Sequence, residues 1–132
     1  MVVRERPLSE AEYKMYSPYF QQRTLDSVRI VEGGVPFWLR KHMSAVVLGH
    51  YIYLRAELDR PRAYQADTAV GIELLAHELT HVEQYLSGMT ILKYLWASCN
   101  GYRNNPYEIE AYAKAAAVKA RILSCPKSGF NV

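Results

Sequence analysis

The chain has 132 residues, half of them hydrophobic and 22% charged, a composition that suits one soluble domain built around one core. Its 16 basic and 13 acidic residues leave a net charge of +3 with no dense basic stripe, which argues against nucleic-acid binding. No apolar signal segment opens the sequence and no apolar run is long enough to cross a bilayer; the expectation is a cytoplasmic protein without a membrane partner, or one exported by a route that needs no signal peptide.

Residues 9–16 read as a short helix, because Ser9 and Glu12 have capping-box spacing and Pro18 stops it. A further helical turn after Pro18 is followed by a strand over 26–32, where Val28 and Ile30 alternate with polar residues up to Gly33-Gly34. Residues 36–43 predict a short helix carrying Phe37, Trp38 and Leu39. The runs 45–48 and 51–54 are β-branched and aromatic about Gly49-His50, and predict a hairpin or one bulged strand. A polar loop over 55–66 leads to a long helix capped by Asp67 or Thr68 and ending near Ser87, with Gly88 just past it. Residues 90–100 form another helix and 101–105 a turn. Asn105 then caps a last helix, with Pro106 at its first position, reaching Ser124 before Pro126. The outcome is an α+β domain, with a short sheet from the first half and three helices from the second. Cys99 and Cys125 lack any zinc-knuckle or C-x-x-C spacing and are expected to be free thiols. The 11 tyrosines, against 3 Phe and 2 Trp, suit half-buried surfaces and clefts.

The helix at 67–87 carries the chemistry. At about 100° per residue, Ile72, Leu75, Leu79, Val82 and Leu86 form one apolar stripe. His77 and His81 fall on the opposite side, near Leu74 and Tyr85, which leaves Glu73, Thr80 and Glu83 for water. A helix with two faces withdrawn from solvent must lie between two layers. Side chains four apart on a helix are neighbours, so two imidazoles there can aim nitrogens at one point and bind Zn²⁺. Glu78 points to one side of that point, where it can take a proton from an activated water.

A catalytic zinc needs a third protein ligand. The candidates are His42, His50, Glu108 and Glu110. Glu110 shares a face with Lys114, Ala117 and Arg121, a solvated side with an ion pair one turn away. Glu108 shares its face with Ala111, Ala115, Val118 and Ile122, where a carboxylate is costly unless a cation meets it. Glu108 is therefore preferred, although a carboxylate in the first turn of a helix is also favoured by the helix dipole. His50 and His42 read as surface residues.

The motif His77-Glu78-Leu79-Thr80-His81, followed by Asn105-Pro106-Tyr107-Glu108-Ile109-Glu110-Ala111-Tyr112-Ala113, resembles the gluzincin metallopeptidases. The second stretch is similar to the E-x-x-A-D pattern of membrane prenyl-protein endopeptidases and their soluble relatives. Glu108 falls on the ligand Glu and Ala111 on the small residue, while Tyr112 stands where those proteins have Asp. The segment from Leu74 to Val82, with Gln84, also resembles small bacterial zincin-like domains found in or near extracellular contractile injection systems and toxins. Together the resemblances cover about residues 35–120. They imply one compact zincin-like domain over 1–132, with a short antiparallel sheet packed on a central H-E-x-x-H helix and a C-terminal helix. They further imply a zinc metallopeptidase acting on peptides or proteins, with His77, His81 and Glu108 on Zn²⁺ and Glu78 as the catalytic base. An extended substrate would add to the sheet edge near 45–54, and Tyr94, Tyr102 or Tyr112 could donate to the oxyanion. Two alternatives remain: an inactive zinc-binding module of a secretion or toxin system, and a metal-free interaction protein.

Overall fold

The computed structural model describes residues 4–32, 45–54 and 68–124. The expected helix at 36–43, the loop at 55–66, His42, Trp38 and Cys125 lie outside them.

Four strands form one sheet in the order β1-β2-β4-β3: β1 (Arg4–Arg6), β2 (Arg29–Glu32), β3 (Ala45–Leu48) and β4 (Tyr51–Leu54). β3 and β4 are the expected hairpin, turning at Gly49-His50 with Gly49 at φ 66°, a left-handed angle that favours glycine. The sheet is mixed rather than purely antiparallel, because β4 lies between β2 and β3 and runs parallel to β2. β1 was not foreseen. It is a three-residue Arg-Glu-Arg segment with no apolar alternation, held by its antiparallel ladder to β2. Arg6 also reaches Glu32 at 3.1 Å and Glu12 at 2.9 Å.

α1 (Glu10–Tyr16) starts on the predicted capping box, with the Glu12 N–H donating to Ser9 Oγ and the Ser9 N–H to Glu12 Oε1. α2 (Gln22–Ser27) takes Asp26 and Ser27 from the expected strand, so β2 begins three residues later. The cause is tertiary. Thr24 and Leu25 are buried, and the first turn is tied down by a carboxylate from the other half of the chain: Glu83 Oε2 accepts from the Gln21 N–H at 2.8 Å and from Thr24 Oγ1 at 3.2 Å.

α3 (Ala69–Leu86) begins at Thr68, whose hydroxyl accepts the Gly71 N–H. It ends in a Schellman turn, with Gly88 at φ 117° and the Met89 N–H donating to the Gln84 carbonyl. Ile72, Leu75, Leu79 and Val82 are fully buried, each worth about 1.5–3 kcal/mol relative to exposure. They pack with Ile30, Val47, Ile52 and Leu54 of the sheet and with Ala115, Val118 and Ile122 of α5 (Pro106–Ser124). α5 runs antiparallel along α3: Lys119 meets Glu73 at one end, and Glu110 meets Gln84 at the other. Thr80 and Glu83, assigned above to solvent, are covered. Thr80 is buried and donates to the Ala76 carbonyl, and Glu83 pairs with Lys114 of α5. α4 (Ile91–Ala97) is capped by Thr90 and shorter than expected, closing in 3-10 turns at Ser98–Asn100 and Tyr102–Asn104.

Candidate metal centre

α3 and α5 cross where their functional residues lie. His77 and His81 are one turn apart on α3, and Glu108 sits in the first turn of α5 on its buried face. His77 Nε2 is 3.2 Å from His81 Nε2 and 3.1 Å from Glu108 Oε1. His81 Nε2 is 3.3 Å from Glu108 Oε1 and 3.2 Å from Oε2. Four ligands about 2.0–2.1 Å from a tetrahedral zinc stand about 3.3 Å from one another, so the three donor atoms already have the spacing of one face of such a site. The three residues lie close enough together to hold a metal ion. They are 9%, 7% and 4% exposed, so water stabilises the Glu108 carboxylate little, and its charge is met within the cluster by a proton on an imidazole or by a bound cation.

The electrostatics fit that use. Burial would raise the Glu108 carboxyl, but hydrogen bonds with His77 and His81 outweigh it and hold Glu108 well below the usual carboxylate range, hence ionised. Glu78, the residue after His77, is buried, and its carboxyl feels the charges of His77, His81 and Glu108. Its carboxyl is pushed up by burial, against the lowering fields of His77 and His81. A raised carboxylate is the stronger base.

The surroundings orient the donors. The Tyr94 hydroxyl donates to Glu108 Oε2. Gln84 Oε1 lies 2.8 Å from His81 Nδ1. Asn105, fully buried, caps α5 by accepting the Tyr107 N–H and donates to the Tyr94 carbonyl and Ser98 Oγ, which pins α4 to the start of α5. Tyr112, which stands where the resembled pattern has Asp, packs its ring edge-on to His77 at 4.4 Å, and its hydroxyl meets that of Tyr102 at 3.4 Å. Tyr94 is pushed well above the usual phenol range by burial and by the neighbouring Glu108 carboxylate, so its hydroxyl stays a protonated donor. Sequence reasoning missed Gln84; its place three residues after His81, on the metal side of α3, was the available signal. Glu110 is not paired with Lys114 as expected but accepts a hydrogen bond from Gln84 at 2.6 Å. His50 is exposed and its ring lies tilted against that of Tyr51, 4.3 Å between centres; it is no part of the cluster.

Residues 7–89 match the family model of the eCIS core domain, the core of extracellular contractile injection systems. This chain belongs to the eCIS core domain family. The match takes in His77, Glu78 and His81 and stops short of Glu108, so the carboxylate corner of the cluster comes from sequence beyond it. Comparison with curated proteins and with solved structures finds no match. Among the described residues of this eCIS core domain, no helix is long and apolar enough to cross a membrane.

Proposed function

We propose that this eCIS core domain is a zinc-dependent metallopeptidase, with His77, His81 and Glu108 as the ligands of Zn²⁺ and Glu78 as the general base. The observation that carries this reading is the convergence of three donor atoms from two helices at 3.1–3.3 Å, with a buried, raised carboxyl beside them. When bound, the ion acidifies a water and polarises the scissile carbonyl. Glu78 takes the proton of the attacking water and passes it to the leaving amine. Tyr94 and Gln84 hold Glu108 and His81 in place, and the Tyr102–Tyr112 hydroxyl pair offers a protonated donor near His77 for the developing oxyanion. The partner is a peptide or protein, added in extended form to the sheet edge at β3.

Metal analysis and peptide hydrolysis by the wild type and Glu78→Gln test this reading. One equivalent of zinc in both, with hydrolysis in the wild type alone, is the expected result. A Glu78→Gln variant that keeps both zinc and full activity removes Glu78 from its role.

A second reading, a zinc-binding module of an injection system without hydrolytic activity, is favoured by the low exposure of all three ligands. It predicts zinc uptake and no hydrolysis of any peptide by the wild type.

A further inference from the structure

Gln84 lies three residues past His81 on α3 and is 8% exposed. Its amide nitrogen donates to the Tyr107 carbonyl at 2.9 Å and to Glu110 Oε1 at 2.6 Å. The Tyr107 carbonyl oxygen and the Glu110 carboxylate oxygen both accept, so the amide cannot be turned around without two lone-pair clashes. The atom 2.8 Å from His81 Nδ1 is therefore the amide oxygen. That oxygen also only accepts, so Nδ1 carries a proton. In the neutral ring Nε2 is then a bare lone pair, and it faces His77 Nε2 and Glu108.

We infer that Gln84, aimed by the Tyr107 carbonyl and Glu110, is a positioning residue that fixes His81 as the Nδ1–H tautomer and so keeps Nε2 available to a metal. The inference rests on the metal-binding reading above. Without Gln84, the partners left to the ring would be His77 and Glu108, both on the Nε2 side. That carboxylate is the strongest acceptor nearby and would draw the ring proton onto Nε2, the position the metal needs. Gln84 opposes this, because a bare Nδ1 would face its amide oxygen. Glu110, exposed at the surface, is thereby linked to the metal centre through an amide and an imidazole without touching it. Such an outer partner of a ligating histidine typically controls metal affinity by about 10–100-fold.

The test measures Zn²⁺ affinity by competition with a chromophoric chelator, and thermal stability of the metal-free protein, for the wild type, Gln84→Leu, Gln84→Glu and Glu110→Lys. Gln84→Leu keeps the side-chain bulk and loses the acceptor, and is expected to weaken Zn²⁺ by about 10–100-fold. Gln84→Glu still accepts the Nδ1 proton and stays close to wild-type affinity. It sets a second carboxylate against Glu110 and the Tyr107 carbonyl, so its metal-free form melts lowest. Affinity and stability thus rank the two substitutions oppositely, which a merely structural role would not produce. Glu110→Lys, at an exposed position, presents a donor to the amide nitrogen and weakens Zn²⁺ without lowering the melting temperature. A wild type that binds Zn²⁺ no more tightly than Gln84→Leu overturns the tautomer role while leaving the metal site intact. Affinity that simply follows stability across the set also overturns it. A wild type that takes up no Zn²⁺ overturns both.

Discussion

Lys114 on α5 passes over Glu110 on its own helix and pairs with Glu83 of α3, 3.0 Å away. Its ammonium lies 4.1 Å from the centre of the Phe20 ring on the way. Glu83 thereby joins α2, α3 and α5 through one carboxylate.

Glu83→Ala leaves the Gln21 N–H, the Thr24 hydroxyl and Lys114 without their shared acceptor, and is expected to cost about 1–3 kcal/mol. Glu73→Ala, which breaks one solvent-facing ion pair with Lys119, is expected to stay within about 1 kcal/mol of wild type. Urea titration of both variants checks this. Equal losses would show that Glu83 is only a surface charge.

Tyr94→Phe removes the hydroxyl that donates to Glu108 Oε2 and little else. Zinc affinity is expected to fall by about tenfold. Competition titration reads the change, and an unaltered affinity would leave Tyr94 as a packing residue.

Asn105→Ala removes the cap of α5 and both bonds to the α4 side, inside a fully buried position. A loss of about 2–3 kcal/mol is expected from the cap and the unpaired buried groups together. Zinc affinity should fall with it, because Tyr94 is no longer tied to the start of α5. Asn105→Asp, which keeps the cap acceptor but not the donor, should recover part of the stability and little of the affinity. If both substitutions behave alike in both measurements, the tie between α4 and α5 has been misplaced.

Chelation should lower the melting temperature, and more so at about pH 8 than at about pH 6. In the metal-free protein, burial opposes charge on His81, but its hydrogen bond to Glu108 and the field of that carboxylate win, so the imidazole titrates above its ordinary 6.5. Its stabilising share is complete below that ordinary value and disappears as pH rises through the raised one. Glu108 titrates below its ordinary 4.5, so its share is complete above that value and is lost only in stronger acid. The pair alone is thus strongest between those two ordinary values and fades toward alkaline pH. Zinc, which needs both imidazoles unprotonated, contributes more as pH rises. Scanning calorimetry with and without a chelator gives the difference. A chelation effect that shrinks from about pH 6 to about pH 8 would contradict this account.

What could be read from the sequence was whatever periodicity and capping carry. The apolar stripe from Ile72 to Val82, the caps at Ser9, Thr68 and Asn105, and the buried face of α5 with Glu108 on it all follow from local spacing, and all five are found. The contacts that span the chain were not legible. Glu83 looked solvent-facing because nothing near it in sequence needs an acceptor; its partners lie 59 and 62 residues away. Glu110 and Lys114 had ideal spacing for a pair on one helix, yet each found a better partner on α3. β1 has no apolar pattern to betray it, since its place depends on the ladder to β2 rather than on a buried face. Tyr112 drew notice for the Asp it replaces and Tyr94 as a donor to the oxyanion, while the bonds that orient the donors come from Tyr94, to Glu108, and from Gln84, whose spacing from His81 was the unused signal.

The Schellman turn at Gly88 divides the cluster's parentage: both imidazoles precede it, and the carboxylate with its tyrosine follows. An ion held there works as a clasp between two stretches of chain. Those stretches meet only after α5 has swung back along α3. Occupancy of the clasp therefore reports that the final helix has come home. A chain cut short after the turn, or still emerging from a ribosome, would carry the paired histidines with nothing to fasten them to.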